Sequence, residues 1–327
     1  QELDRAGGAV DDCDRIVDGL LIFAALGGVL LVASGVGFSL RARFAGGPSQ
    51  GVIDNLNARI RAWWMMIAIA MAATVAGPLA IIGLFGFLSF LAFREFITQT
   101  PVRRADHVAL FVSFFIAIPA QYGLTAIGWY GLFAIFIPVY AFLSLPILSA
   151  LMADERKFLQ RTAEMQWGLM ICAYCLSHVP ALLTLHIPGY QGREALLCVF
   201  LVLIGQASDV LQYIWGKLFG RHKIAARLSP NKTVEGLLGG VFSATVLGAA
   251  LWQITPFSPI AAAALALLIT IFGFLGGLVM SAIKRDRGIK DWGGLLEGHG
   301  GILDRIDSLC FSAPVFFHAV RYFYSVY

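Results

Sequence analysis

The densest gathering of residues able to handle phosphate lies near the C-terminus. Between Ser281 and Ser308 the chain carries Lys284-Arg285, then Lys290-Asp291, then Gly298-His299-Gly300-Gly301, then Asp304-Arg305-Ile306-Asp307. Asp304 and Asp307 stand three apart, so a helix would bring both carboxylates to one face, and Asp291 can join them across the glycine-rich turn. Such oxygen ligands suit Mg²⁺, which takes one or two carboxylates and completes its shell with water and substrate phosphates. Lys284, Arg285, Lys290 and Arg305 bring the positive charge that a triphosphate or phosphomonoester needs. Glycines at 298, 300 and 301 let the backbone approach a phosphate with its N–H groups turned inward. Clusters of Lys and Arg beside membrane segments commonly set topology and touch anionic lipid, no more. Residue types alone therefore leave a catalytic and a purely topological reading both open.

A second stretch begins with Asp209, inside the apolar run from Ala195 to Gly216. An ionisable residue within a membrane helix marks a functional site by default; the competing reading is a helix end near water. It is followed by Gly216-Lys217-Leu-Phe-Gly220-Arg221-His222-Lys223 and by Ser229-Pro230-Asn231-Lys232-Thr233-Val-Glu235-Gly236.

In their order, SPxKTxEG, SxxKRxxxxKD, HGG and DRxD resemble the signature of the phosphatidate cytidylyltransferases, or CDP-diacylglycerol synthases. The resemblance covers Ser208 to Ser308 and the final helix. It implies transfer of CMP from CTP to phosphatidic acid, with pyrophosphate leaving, at a site facing the cytoplasm, in a bacterial inner membrane. It further implies Asp291, Asp304 and Asp307 as Mg²⁺ ligands, with Asp209 as a further ligand or orienting group and with a monovalent ion as a second candidate. Lys232, Lys284, Arg285, Lys290 and Arg305 would hold phosphates, Ser229, Asn231 and Glu235 would line the substrate site, and His299 with Gly300 and Gly301 would shape the turn. Two departures stand out: the family's GDLxES is here Gly276-Gly277-Leu278-Val279-Met280-Ser281, lacking both acids, and Glu297 replaces the usual proline. They point to a divergent subfamily. Two rivals are a non-catalytic lipid-binding or transport protein on the same scaffold, and a CDP-alcohol phosphotransferase, whose aspartate spacing this chain lacks.

Positioning these groups falls to membrane helices. Of 327 residues 58% are hydrophobic and only 13% charged, with a mean hydropathy of +0.77, so the bilayer is the expected solvent. The net charge of +4 does not point to nucleic acid; the expected partners are CTP, phosphatidic acid and membrane lipids, with a homodimer as a candidate assembly. Apolar runs near the 20 residues of a span recur at Ile16 to Leu40, Trp63 to Gly77, Pro78 to Ala92, Val108 to Leu124, Trp129 to Met152, Trp167 to Leu185, Ala195 to Gly216, Gly236 to Ile254, Pro259 to Ile283 and Ser308 to Tyr324. The expectation is an all-α polytopic bundle of nine or ten transmembrane helices, with Gly77-Pro78 breaking one long run. Residues 1–194 would form the scaffold with lipid access, and 195–327 the catalytic region. Ile16 to Leu40 exceeds a signal-peptide core and reads as a retained helix. Lys and Arg concentrate in every second connection, which places those loops in the cytoplasm. Val52 to Ala62 reads either as a helix lying in the interface or as a solvated linker. Cys172 and Cys175 sit in an apolar run without a second pair, as buried residues rather than a zinc site.

Overall fold

An apolar segment in hydrocarbon has no water to satisfy its backbone, and a helix satisfies it internally. The structure, a computed structural model, describes residues 50–294 and 300–326, together with parts of 24–43, and over these the chain is almost wholly helical. From Gln50 onward, among the described residues, nine helices follow one another: α1 (Gln50–Ala76), α2 (Pro78–Thr98), α3 (Arg104–Ala126), α4 (Tyr130–Ala150), α5 (Phe158–Thr184), α6 (Glu194–Phe219), α7 (Val234–Ala250), α8 (Pro259–Asp286) and α9 (Leu303–Tyr324). Among the described residues seven of these, α1 to α6 and α8, are long and apolar enough to span a bilayer. The protein is thus an all-α integral membrane protein, while the expected nine or ten spans are not confirmed. The shortfall has two physical sources: α7 has only 17 residues, and α9 opens with charged turns. The run Ile16 to Leu40 lies partly outside the described residues, and those of it that are described are helical. Val52 to Ala62 is no separate element, because α1 runs unbroken through it. Gly77 does break the chain: it adopts φ 101°, and Pro78 starts the next helix, where its missing N–H costs nothing.

The alternation expected from the basic loops reappears in the contacts. Arg161 at the start of α5 meets Asp106 at the start of α3 (3.4 Å) and Asp154 just beyond α4 (3.1 Å). Arg287 beyond α8 meets Glu164 of α5 at 2.5 Å, and Glu95 near the end of α2 meets the start of α9. The ends of α2, α4, α6 and α8 therefore share one face of the bundle with the beginnings of α3, α5, α7 and α9. At the opposite face the Tyr190 hydroxyl donates to the Ile254 carbonyl and the Val326 N–H to that of His186. The core joins α2, α5, α6 and α9 through Phe93, Leu176, Leu197, Phe200, Phe316 and Phe317, all fully buried. Cys172 within it is a free buried thiol.

Two local features serve the site. A small antiparallel hairpin, β1 (Lys223–Ala225) and β2 (Ser229–Thr233), joins α6 to α7 with Lys223 opposite Thr233 and Ala225 opposite Ser229. Thr233 then caps α7, accepting the Gly236 N–H at 3.1 Å, as a threonine at this position does well. Along the seam between α6 and α7 the backbones nearly touch: a Cβ on Gly236 would lie 2.8 Å from the Gln212 carbonyl oxygen and 3.0 Å from the Gly216 Cα. Without a hydrophobic drive between helices in lipid, small residues at such crossings supply the packing.

Candidate active site

Lys284 leaves the last turns of α8, and Asp304 stands in the first turn of α9, 20 residues on. Their side chains meet at 2.8 Å, 12% and 6% exposed. The second oxygen of Asp304 accepts the N–H groups of Trp292 at 2.8 Å and Gly301 at 3.0 Å. Both oxygens are thus engaged by protein donors, and Asp304 holds the turn between α8 and α9 together. One helical turn later, Asp307 accepts, among the described residues, only the adjacent Ser308 N–H, at 2.8 Å, and lies within electrostatic reach of Lys284, Lys232 and Asp304. Asp209, from the accessible face of α6, faces the same group and interacts with Asp307, Lys232 and Arg305.

Lys232 enters from β2. Its Nζ lies 4.6 Å from the centre of the Phe274 ring, and a Cβ on Gly277 would come within 2.8 Å of it. The glycine that replaces an acid at 277 therefore leaves no hole, because the lysine fills the space beside it. Burial pushes the Lys232 pKa below that of an ordinary lysine, while Asp209 and Asp307 pull the other way. Arg305 interacts with Asp304, Asp307 and Asp209, and its carbonyl accepts the Gln206 side-chain N–H at 3.0 Å, tying α9 to α6.

The remaining expected residues divide. Asp291 is exposed at the rim, its Cβ and the Asp304 carboxylate both closing on Gly300, whose φ of 80° suits glycine. Gly301 gives its N–H to Asp304. Arg285 is turned away, donating to the carbonyls of Leu228 (3.3 Å) and Ile289 (2.9 Å), so it ties the hairpin to the turn. Glu235 is likewise used by the protein: it accepts the Arg221 and His222 N–H groups and meets the His222 ring at 2.5 Å. The Arg221 N–H foremost, then the His222 side chain, hold its carboxyl down to about 2. Ser229 pairs in the hairpin, and Asn231 and Lys290 are exposed. His299 and Glu297 lie outside the described residues. Asp209, Lys232, Lys284, Asp304, Arg305 and Asp307 are thus drawn together from four elements, and Asp291 borders them.

Two residues of this region escaped the sequence reading. Glu95, 5% exposed, accepts the N–H groups of Ile302 (3.0 Å) and Leu303 (2.9 Å) at the start of α9. A carboxylate inside an apolar helix was the available signal. Trp292, 2% exposed, stacks on Phe96 with ring centres 5.2 Å apart.

Among the described residues no three His, Cys, Asp or Glu side chains gather as a metal cage. The donor set still fits Mg²⁺, which seldom uses an all-protein cage and binds through one or two carboxylates plus substrate phosphates: Asp209 and Asp307 lie within electrostatic reach of each other and of Lys232, and among the described residues neither forms an ion pair with protein as Asp304 does.

The family model described as the cytidylyltransferase family matches residues 57–323. A phosphatidate cytidylyltransferase of Staphylococcus aureus (strain COL) is 30% identical over 249 residues, covering 73% of this chain and 89% of its own. Another phosphatidate cytidylyltransferase, of Staphylococcus saprophyticus, is 39% identical over 158 residues, covering 46% and 59%. An Escherichia coli (strain K12) protein, YnbB, described as uncharacterized, is 41% identical over 266 residues, covering 81% and 87%. With the family model spanning most of the chain and the motif residues meeting at one end of a membrane bundle, this protein is a nucleotidyltransferase belonging to the cytidylyltransferase family.

Proposed function

We propose that this protein is a CTP:phosphatidate cytidylyltransferase of a bacterial inner membrane, acting at the cytoplasmic surface. The observation that carries the reading is the meeting of Lys232, Lys284 and Arg305 with Asp209 and Asp307 at one end of the bundle. Three cations beside two carboxylates match a reaction between two phosphates. The Staphylococcus aureus relative is named for phosphatidate, and the matching end bears the Lys- and Arg-rich connections that face the cytoplasm.

In the reaction, an oxygen of the phosphatidate phosphate attacks the α-phosphorus of CTP, the bond to the β-phosphate oxygen breaks, and pyrophosphate leaves with the electron pair. The acceptor is already an anion, so no strong general base is needed. Catalysis rests on placing the two phosphates in line and on neutralising charge that builds on the oxygens. Lys232 and Lys284 reach the phosphates as point charges from two sides, and Arg305 adds a third cation from α9. Asp209 and Asp307 would hold Mg²⁺, which when bound supplies charge neutralisation between the oxygens. Asp304 keeps Lys284 and the turn in place without touching substrate.

The test is direct: purified protein in detergent receives CTP labelled in the α-phosphate, phosphatidic acid and Mg²⁺. Labelled CDP-diacylglycerol with an equal amount of pyrophosphate is the expected result. Absence of any labelled lipid with phosphatidic acid, across several divalent ions, overturns the reading in favour of a non-catalytic lipid-binding role.

A further inference from the structure

We propose that Glu95 is a positioning residue of the nucleotidyl-transfer site: reaching from α2, its carboxylate fixes the chain at Gly293 and at Gly301 to Leu303, and thereby the direction of Asp304 and Asp307. The inference rests on the reading of the site given above.

A buried carboxylate is costly unless hydrogen-bonded or paired. Among the described residues no Lys or Arg forms an ion pair with Glu95; its recorded partners are the Ile302 and Leu303 N–H groups. These are donors that the start of a helix leaves without intrahelical acceptors, and a negative charge there also favours the helix dipole. Local caps normally do this work, yet α9 has no side-chain cap of its own. The cap comes instead from a residue more than 200 positions upstream.

The chain at both ends of this turn is cut to fit the carboxylate. A Cβ on Gly301 would stand 2.3 Å from one Glu95 oxygen, and a Cβ on Gly293 2.9 Å from the other. The same Gly301 Cβ would also lie 2.8 Å from the Gly293 nitrogen. Only glycine at both points lets the two strands of chain and the carboxylate share this space. Asp304 grips the same segments through the Trp292 and Gly301 N–H groups. The turn is therefore bracketed by two carboxylates, of which one carries Lys284 and the other anchors everything to α2. Phe96, the next residue of α2, adds the stacking on Trp292.

Asp304 and Asp307 ride on the helix whose first N–H groups Glu95 holds, so a shift of this clasp displaces them together. A misplacement of about 1 Å from a residue remote from the chemistry costs on the order of 10²-fold in rate. Substrate contacts with the triphosphate from Lys232 do not pass through the clasp, so binding is affected less than turnover.

The experiment combines kinetics with hydrogen exchange on the full chain in detergent. E95Q keeps the shape but puts an amide NH₂ against one of the two N–H donors. The expected result is a kcat lower by on the order of 10²-fold with the KM for CTP changed by less than about threefold, and faster exchange confined to the peptide holding Ile302 and Leu303. A second arm guards against a merely unstable variant: G293A should lose activity by collision with the carboxylate, whose atoms are the nearest that a Cβ there would meet, and E95A/G293A should be no worse than E95A alone, a non-additive pair. Unchanged exchange at Ile302 and Leu303 in E95Q, a kcat within about twofold of the parent, or additive losses in the double variant would each overturn the proposal. The exchange readout needs no substrate, so it stands or falls separately from the assignment of CTP and phosphatidic acid.

Discussion

Replacing Asp304 by asparagine removes one charge and keeps the side chain's size. The carboxylate faces Lys284 at 2.8 Å, with the two side chains 6% and 12% exposed, and breaking a buried pair by removing one partner costs about 3–5 kcal/mol. Asp307 also lies within electrostatic reach of Lys284 and takes over part of the lost interaction, which sets the expectation at the lower edge, about 3 kcal/mol. That corresponds to roughly a hundredfold in the ratio of folded to unfolded protein. Denaturant titration in detergent, followed by near-ultraviolet circular dichroism, measures it. In K284M/D304N neither charge remains, so the combined loss should fall short of the summed single losses by about 1 kcal/mol or more. D307N supplies the contrast, since among the described residues Asp307 accepts only its neighbour's N–H: nucleotidyl transfer should drop about 10²–10³-fold with stability nearly unchanged. Additive losses in the double variant, or a D304N protein as stable as the parent, would refute the division of labour between a structural Asp304 and a substrate-facing Asp307.

Three further outcomes are expected. Because burial lowers the Lys232 pKa, its ammonium is lost as pH rises at a value below the ordinary lysine figure of about 10.4; log(kcat/KM) should bend downward there and K232R should move the bend to higher pH. R161M leaves Asp106, 1% exposed, without its guanidinium and should destabilise the protein by about 3–5 kcal/mol in the same titration, with the KM for CTP unaltered because the partners of Arg161, Asp106 and Asp154, are not among the phosphate-facing residues. G236A forces a methyl against the Gln212 carbonyl, 2.8 Å from an ideal Cβ, and should cost about 1–3 kcal/mol by parting α6 from α7; equal stability in G236A and parent would contradict the close seam.

Much of this architecture is legible in the sequence because lipid permits so few alternatives. Apolar runs become helices, Gly77-Pro78 breaks one of them, and the alternation of basic connections reappears as one shared end of the bundle. The motif residues Asp209, Lys232, Lys284, Asp304 and Asp307 converge as their types suggested. Roles within the cluster were harder to read, since they depend on which partner arrives first. Glu235 looked like a substrate ligand, yet the Arg221 and His222 N–H groups occupy it. Arg285 looked like a phosphate ligand, yet two carbonyls hold it. The hairpin escaped notice because Ser229-Pro-Asn-Lys-Thr233 lacks the β-branched, alternating pattern of a strand and pairs only across a turn that closes over three residues. Glu95 signalled itself only as a carboxylate inside an apolar helix; its partners lie 207 and 208 residues away, and spacing within a segment carries no information about such meetings.

The glycine seam joining α6 to α7 has a mechanical consequence. Two helices whose backbones approach this closely, bridged at one end by a hairpin, behave as a single stiff lever, and that lever carries both Asp209 and Lys232. Lys284, Asp304 and Asp307 come from α8 and α9, which pack directly on this pair: a Cβ on Gly248 of α7 would collide with Ala266 of α8, and Gln206 of α6 holds the Arg305 carbonyl of α9. A tilt of that lever therefore moves one lysine and one carboxylate together, and the contacts with α8 and α9 resist it.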